Sequence, residues 1–262
     1  MVNDQSIERL EVSVKTPAGM LTTPVEVPTG FVPVTAIVPL MRRLGEQAQA
    51  LEERKARAAG KTISCQKGCA ACCRMLVPVS APEAFALKDM IGALPDARRQ
   101  ATLRKVAEAK TRLAQVGLLA RLTAIAETDR QLSDEEMEPI NRDYYALRTP
   151  CPFLENEVCS IYEDRPAACR ELLVTSPAEL CRDMVKNPVR LLAIPVRMST
   201  ALGLLWSDLV GGPLRFIPLP VALDWAERHG AESGRTWKGT LLLENALDKI
   251  WRYLGQQAMG KG

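Results

Sequence analysis

Residues 8–28 alternate between apolar and polar positions in two stretches. Leu10, Val12 and Val14 occupy every second position of the first stretch, and a second alternating stretch follows the turn-forming sequence Thr16-Pro17-Ala18-Gly19. A period of two places these side chains on one face of a strand, because successive residues of a strand point to opposite sides. The pattern therefore predicts a β-hairpin near the start of the chain.

Apolar residues further along the chain recur every three or four positions, which is the period of a helix with one buried face. The first such segment begins at Pro39, continues through Met41, Leu44 and Ala48, and stops before Gly60. Further helices are predicted after Ser80, after Pro95, over 118–126, after Ser133, and over Met198–Val210, Val221–His229 and Leu241–Leu254. The helix after Pro95 is expected to bury the face that carries Leu103, Val106, Ala107 and Leu113.

Three segments have the Ser-x-x-Glu pattern of a helical capping box, in which the two side chains bond to backbone amides of the first turn. These segments begin at Ser80, Ser133 and Ser176. The third predicts a helix that carries Cys181 in its first or second turn. Between the last two boxes, residues 150–170 contain three prolines that interrupt any period, so this stretch is predicted to form loops.

Together these patterns predict a mainly α-helical protein of the α+β class, with an N-terminal β-hairpin and a cysteine-rich loop core surrounded by helices. Three segments are expected to pack as one globular unit. They are the hairpin and first helix (1–60), a cysteine-bearing segment (61–185) and a C-terminal helical extension (186–262).

The amino-acid composition argues against some classes of function. The 262 residues carry a net charge of +3 and 5% aromatic residues without a one-sided basic cluster, so we expect no nucleic-acid partner. No apolar run approaches the roughly 20 residues that span a bilayer, and no apolar signal core follows the polar start Met1–Gln5. We therefore expect no membrane insertion and a cytoplasmic location, where a reducing environment disfavours structural disulfides.

The eight cysteines of the chain form two blocks and occur nowhere else. The first block holds Cys65, Cys69, Cys72 and Cys73, and the second holds Cys151, Cys159, Cys169 and Cys181. Thiolates are strong ligands for zinc and iron, and short loops close several ligands around one centre with little loss of chain entropy. The clustering therefore predicts that all eight cysteines contribute to a metal centre.

The spacing and surroundings of the cysteines indicate the kind of centre. The adjacent Cys72 and Cys73 diverge from one another, which favours a polynuclear centre, or two neighbouring ions, over one four-thiolate zinc. Cationic residues that would stabilise thiolates lie within a few positions of the cysteines: Lys67, Arg74, Arg165, Arg170 and Arg182. The single histidine, His229, is predicted at a helix C-terminus, so the centre is expected to be rich in thiolates.

Several non-cysteine positions complete a recognisable pattern. The segments are Cys65-x3-Cys69-x2-Cys72-Cys73, Cys151-Pro152-Phe153-Leu154, Cys159-Ser160-Ile161-Tyr162 and Arg165-Pro166-x-x-Cys169-Arg170. In this order they resemble the CxxCxxCC cysteine-cluster family, also called YkgJ-like, which is described as a zinc- or iron-chelating domain. A flagellin lysine N-methylase carries a related domain. The first gap here is three residues rather than two, and Cys181 lies beyond the core of the motif.

The resemblance implies metal binding through these cysteines, with an iron–sulfur cluster, iron or zinc as the cofactor. The adjacent cysteines favour iron over zinc. Tyr162 and Arg165 would stand next to the metal ligands, and Pro166 would stiffen the turn before Cys169. Glu83 could reach the centre, although a helix cap is the favoured role. No catalytic residue or substrate is indicated.

Two other functional classes stay open at this point. The first is an enzyme: Cys65-x3-Cys69-x2-Cys72 has the spacing of the radical S-adenosylmethionine cluster motif, and the methylase relative suggests methyl transfer. Against it, Ala71 stands where that motif has an aromatic residue, and no glycine-rich strand-to-helix loop is apparent. The second is a zinc-stabilised module that binds a protein partner through a surface containing the four tryptophans of the C-terminal segment.

Overall fold

The computed structural model describes the backbone of residues 6–259 and the side chains of residues 6–255, and the polar start Met1–Gln5 lies outside them. The α-helices of the described chain are Val38–Ala58 (α1), Ala81–Gly92 (α2), Asp96–Gln115 (α3), Leu118–Glu127 (α4), Asp134–Ala146 (α5), Ala167–Glu171 (α6), Met198–Val210 (α7), Ala222–Arg228 (α8), Gly230–Ser233 (α9) and Gly239–Met259 (α10). Its strands are Ile7–Thr16 (β1), Gly19–Pro28 (β2), Phe31–Pro33 (β3), Pro78–Val79 (β4), Leu154–Glu155 (β5), Val158–Cys159 (β6), Ile217–Pro218 (β7) and Thr236–Lys238 (β8). Short 3-10 helices span Val34–Ile37, Tyr162–Asp164, Ala178–Asp183 and Leu219–Val221. The fold is mainly α-helical with small antiparallel sheets, as the sequence predicts.

The N-terminal hairpin is confirmed. β1 and β2 pair antiparallel from the Thr16–Gly19 end outward, and the Thr16 hydroxyl donates to the Gly19 carbonyl at 2.8 Å. Val12, Val14 and the inward residues of β2 are buried, because this face of the hairpin packs against α1 and α10. The two-residue alternation therefore marks the buried face of the hairpin.

The centre of the core is an aromatic cluster between α2, α7 and α8. The Phe85 ring lies 5.4 Å from the Trp206 ring in an edge-to-face arrangement and 5.3 Å from the Trp225 ring. All three side chains are buried, and α10 packs beside them against α7. Trp251 on α10 is instead 52% exposed, so the tryptophans divide between the core and the surface.

The sheets of residues 6–259 are all two-stranded and antiparallel. The β4–β7 pair matters most for the site, since it joins the segment after the first cysteine block to the chain before α8. This part of the chain contains no parallel sheet, which both a β/α barrel and a dinucleotide-type cofactor fold require. The architecture therefore gives no support to the two S-adenosylmethionine frameworks considered from the sequence.

Two of the three predicted capping boxes begin helices. Ser133 accepts the Glu136 N–H at 3.2 Å, and the Glu136 carboxylate accepts the Ser133 N–H at 2.8 Å at the start of α5. The box at Ser176 is wrong, because the Ser176 hydroxyl accepts the Arg190 N–H at 3.2 Å and no cap forms. Cys181 consequently lies in the 3-10 helix Ala178–Asp183 rather than in an α-helix.

The predicted buried face of α3 is also partly wrong. Val106 and Leu113 are buried as expected, but Leu103 is 44% exposed and Ala107 is exposed. The buried stripe instead begins at Thr102, so a polar residue occupies the position that the hydrophobic pattern assigned to leucine. The Thr102 hydroxyl donates to the Arg98 carbonyl at 2.9 Å, which satisfies its polar group within the helix.

Side chains from all three predicted segments contribute to one hydrophobic core. Buried residues of the hairpin and α1, of α2 and α4, and of α7, α8 and α10 belong to the same cluster. The boundaries of the three segments stay a prediction. A search of the described residues for a helix long and apolar enough to cross a bilayer found none.

The junction between the hairpin and α10 leaves no room for a side chain at Gly239. A Cβ atom at this position would lie 2.0 Å from the Pro28 carbonyl oxygen, and the Gly239 N–H donates to the Gly30 carbonyl at 3.0 Å. We expect Gly239→Ala to lower the free energy of unfolding by about 1–3 kcal/mol, since backbone must shift to relieve the overlap. Gly92→Ala is the control, because nothing lies within 4 Å of a Cβ there. Equal denaturation midpoints for the two variants would contradict this packing.

Candidate metal centre

The first cysteine block is a series of tight turns between α1 and β4. The Cys69 N–H donates to Gln66, the Cys73 N–H to Ala70 and the Met75 N–H to Cys72, each at 3.0 Å. Backbone bonds three residues apart keep the segment coiled without forming a regular helix. Four thiols are therefore displayed on one short stretch of chain.

A backbone hydrogen bond joins the two cysteine blocks directly. The Cys151 N–H donates to the Cys73 carbonyl at 2.8 Å. Next to this contact, β5 and β6 form a small hairpin that pairs Leu154 with Cys159. Asn156 and Glu157 form its turn with φ values of 50° and 61°, as a two-residue hairpin turn requires. The hairpin returns the chain so that Cys159 lies near Cys151.

The remaining cysteines are carried by segments that also bond to the first block. Cys169 lies in α6, and its N–H donates to the Pro166 carbonyl at 3.0 Å. Just beyond α6, the Val174 N–H donates to the Cys65 sulfur at 3.3 Å, and the Ser64 N–H donates to the Val174 carbonyl at 3.1 Å. The chain after Cys169 is thus fastened beside Cys65.

The thiols of both blocks converge around Cys72. The Cys72 thiol is hydrogen-bonded to Cys73, and this bond together with burial raises its pKa far above the usual range. Burial also raises the pKa values of five other thiols, and the Cys72 charge adds to each of these shifts: Cys65, Cys151, Cys159, Cys169 and Cys181. These effects agree with the backbone hydrogen bond between Cys151 and Cys73, which shows that the early and late blocks meet.

Six of the eight thiols line one cavity of about 760 Å³: Cys69, Cys72, Cys73, Cys151, Cys159 and Cys169. All eight cysteines are free thiols. Among the described residues, no three Cys, His, Asp or Glu side chains already stand in an arrangement that would hold a metal ion. Ligand geometry would come from rotation of the sulfur atoms, each of which turns about one side-chain torsion, and from small shifts of the loops that carry them.

Backbone amides favour the thiolate form at three of these sulfurs. The Phe153 N–H lowers the pKa of Cys151, the Ile161 N–H that of Cys159 and the Val174 N–H that of Cys65. Burial outweighs these bonds and raises the pKa of Cys151 to about 12. Without metal these three thiols therefore favour the neutral form, while the donors that a bound thiolate needs are already in place.

Arg165 is the cation that faces the cluster. Its charge lowers the pKa values of four thiols: Cys65, Cys72, Cys159 and Cys169. The Arg165 guanidinium stacks 4.1 Å from the centre of the Tyr162 ring, and its buried Nε has no hydrogen-bond partner in the described structure. A buried N–H without an acceptor is costly, and negative sulfur at this place would satisfy it. The charge and the free N–H group of Arg165 therefore fit a metal that is bound by thiolates.

The other basic residues near the cysteines have different roles. Arg170 is buried, pairs with Glu46 and donates to the Glu163 and Arg165 carbonyls, so it holds the loop before α6. Burial lowers the pKa of Arg170 to about 10, a value at which it keeps its charge at neutral pH. Arg74 pairs with Glu157 at 2.7 Å. Proximity in sequence therefore predicted cations around the loops, but only the fold distinguishes Arg165 from the rest.

Glu83 positions one of the cysteines, a role that the sequence did not reveal. This carboxylate is 1% exposed and accepts the Ser80 N–H at 3.2 Å and the Ser80 hydroxyl at 2.7 Å. It also accepts the Ala167 N–H at 2.6 Å, which anchors the first turn of α6 below Cys169. The capping motif already accounted for Glu83, and no local pattern marks a partner 84 positions away.

The geometry agrees with a comparison to known families. Residues 64–183 match the model of the CxxCxxCC family, described as a "putative zinc- or iron-chelating domain". The match covers slightly less than half of the chain and contains all eight cysteines, Cys181 included. Searches among curated proteins and among solved structures gave no match.

Residues 64–183 form a second cleft on another side of Cys69. This cleft, of about 600 Å³, is lined by several charged residues, among them Arg74, Arg148, Arg182, Glu157 and Glu179, together with Gly68 and Cys69. Arg148 stacks 4.0 Å from the Tyr145 ring. Cys69 and Gly68 line both cavities, so the first block forms a partition between them.

Metal binding to residues 64–183 is expected to release protons and to strengthen with pH. The pKa values of Cys65, Cys72, Cys151, Cys159, Cys169 and Cys181 are raised, and each of these thiols that ligates a metal must first lose its proton. The affinity for metal therefore rises with pH, by up to about one power of ten per pH unit for each thiol that is deprotonated on binding. Calorimetric titration with zinc in buffers of different ionisation enthalpy measures the protons released. No proton release at pH 7 would contradict neutral thiols.

The position of Arg165 predicts a specific effect on metal affinity. Arg165→Gln removes the one cation that acts on four thiols, so we expect metal affinity at pH 7 to fall by about tenfold or more. Arg165→Lys keeps the charge and should retain most of the affinity. Arg182→Gln is the matched control, because its exposed side chain lies in the second cleft. Chelator competition measures the metal affinity of all three variants. Equal affinities for Arg165→Gln and Arg182→Gln would show that Arg165 does not act on the metal centre.

Proposed function

We propose that this protein holds a metal centre through thiolates from both cysteine blocks. The observation that carries the proposal is the meeting of two distant blocks around one cavity, with the unpartnered Nε of Arg165 beside them. A chain that used cysteines only as small apolar residues would have no reason to line one cavity with six of them. Free thiols that lie this close together are also prone to oxidation unless a metal protects them.

Iron, as an iron–sulfur cluster or an iron centre, is favoured over zinc. A single tetrahedral zinc ion and a single iron–sulfur cluster each take four cysteine ligands, so the eight cysteines of the chain would suffice for more than one metal atom. Cys72 and Cys73 are adjacent in sequence, and adjacent cysteines serve two metal atoms more readily than one. Both features support a polynuclear centre, for which iron–sulfur clusters are the common all-thiolate example. Two neighbouring zinc ions are the alternative, and they would mainly stabilise the fold.

The roles of the residues follow from their places. Cys72 and Cys73 would stand at the middle of the ligand set, with Cys151, Cys159 and Cys169 from the second block. The other members of the set are Cys65, Cys69 and Cys181. Arg165 and the backbone amides offset the negative charge of the sulfurs, while Glu83 and Arg170 hold α6 and its loop. An iron–sulfur centre would supply electron transfer or an open iron for a bound molecule.

The partner that this proposal names is the metal ion. Free thiols fit a reducing compartment, and we infer a cytoplasmic location on that ground. Neither a protein partner nor a nucleic acid is part of the proposal.

Anaerobic purification from the native host, followed by element analysis, acid-labile sulfide determination and visible absorption, tests the proposal. We expect a coloured protein with iron and labile sulfide in stoichiometric amounts. Colourless protein with zinc alone would reject iron and keep a metal centre. Protein free of metal after purification, which also fails to take up iron or zinc on reconstitution, would reject the proposal as a whole.

Single serine variants from the two blocks test whether both hold the same centre. We expect Cys72→Ser and Cys159→Ser each to lose most of the bound metal and to unfold at a lower temperature, because each removes a ligand from the shared set. Ala71→Ser is the control, since it adds a hydroxyl to the same loop without removing a thiol. Loss of metal in Cys72→Ser but normal content in Cys159→Ser would confine the centre to the first block.

A further inference from the structure

The cavity beside the cysteines is larger than a metal centre needs. Its volume of about 760 Å³ lies within the range of roughly 300–1,000 Å³ that small-molecule sites occupy. Away from the thiols its lining is mostly apolar: Met75, Leu76, Val77, Leu191, Leu192, Ala193, Ile194, Leu219 and Tyr253. Apart from Met75 and Tyr253, these side chains have no atom that could ligate a metal, so they line space for something other than the metal.

Hydrogen bonds join this apolar wall to the cysteine loops. The Leu192 N–H donates to the Leu173 carbonyl and the Thr175 N–H to the Arg190 carbonyl, both at 2.8 Å. The segment 190–192 is therefore paired with the chain that follows α6. On the opposite side, the Leu219 N–H donates to the Val77 carbonyl at 2.9 Å. Wall and thiols consequently form one pocket.

Three charged side chains line the pocket, and two of them already have a role. Arg165 faces the thiols. Glu171 accepts the Ser199 N–H at 3.0 Å and the Ser199 hydroxyl at 2.7 Å, so its carboxyl is satisfied, and burial raises its pKa. The guanidinium of Arg197, immediately before α7, is exposed and forms no hydrogen bond or ion pair with the described residues. Arg197 is thus the lining charge that lacks a counter-ion.

We propose that this pocket binds a small amphipathic acid next to the metal centre, with its carboxylate on Arg197 and its apolar body along residues 191–194. The inference rests on the proposed function and deepens it, because it gives the centre a ligand class. A guanidinium recognises a carboxylate through paired N–H donors, and aliphatic walls bind an apolar chain by removing it from water. A metal that serves only to hold loops together would need neither feature.

Calorimetry on the metal-loaded protein tests the contributions of the carboxylate and of the apolar chain separately. The probes are decanoate, decanol and acetate, each below its aggregation limit. We expect decanoate to bind with one-to-one stoichiometry, at least tenfold more tightly than decanol, which lacks the charge, and than acetate, which lacks the chain. Decanoate binding no tighter than either probe would overturn the inference.

Variants locate the site. Arg197→Gln should weaken decanoate binding about tenfold or more and leave decanol binding unchanged, as loss of one charge-assisted bond predicts. Leu192→Ser should weaken both long-chain probes. Arg190→Gln is the matched control, because this exposed arginine stands in the same loop and does not line the pocket. Equal loss in Arg197→Gln and Arg190→Gln would indicate nonspecific attraction and reject the site.

Metal content measured on the same samples separates the two proposals. Normal metal content without selective decanoate binding rejects the acid site and leaves the metal centre standing. Absence of metal from protein that is folded by circular dichroism rejects the metal centre, and the inferred ligand next to it is rejected with it.

Discussion

The meeting of the two distant cysteine blocks is the constraint on which the site depends, and backbone hydrogen bonds mark it between Cys73 and Cys151 and between Ser64 and Val174. Bringing them together closes a long loop, and the helices α2 to α5 between them do this by packing against the common core. Loops alone could not meet this requirement, since thiols without a metal attract one another weakly. The cluster therefore exists because the hydrophobic core, and not the sulfur chemistry, brings the blocks together.

Burial and the nearby positive charge have opposite effects on the pKa values of the cysteine thiols. Burial raises the thiol pKa values, while Arg165 and the backbone amides of Phe153, Ile161 and Val174 lower them. The balance leaves protonated thiols in the metal-free protein and prepared donors for the thiolates that a cation would create. The buried Nε of Arg165 has no hydrogen-bond partner among the described residues, and a thiolate would be an acceptor for it.

Local patterns predicted most of the elements correctly. The hairpin, α1 and α7 follow from periodicity and from turn residues, since these depend on neighbours in sequence. Errors arose where a distant contact competed with a local preference. Ser176 bonds to Arg190 instead of capping a helix, and Thr102 takes the buried place on α3 that Leu103 was expected to occupy.

The sequence by itself determined the donor chemistry: eight cysteines in two blocks, one histidine, and a motif that a family comparison confirmed over residues 64–183. Tertiary structure alone decided which groups act on those sulfurs. Glu83 reaches Ala167, Arg165 rather than Arg170 faces the thiols, and an apolar wall from residues 191–194 completes the cavity. The reason is that ligand type is a property of single residues, whereas burial, charge and enclosure arise only when distant segments pack together.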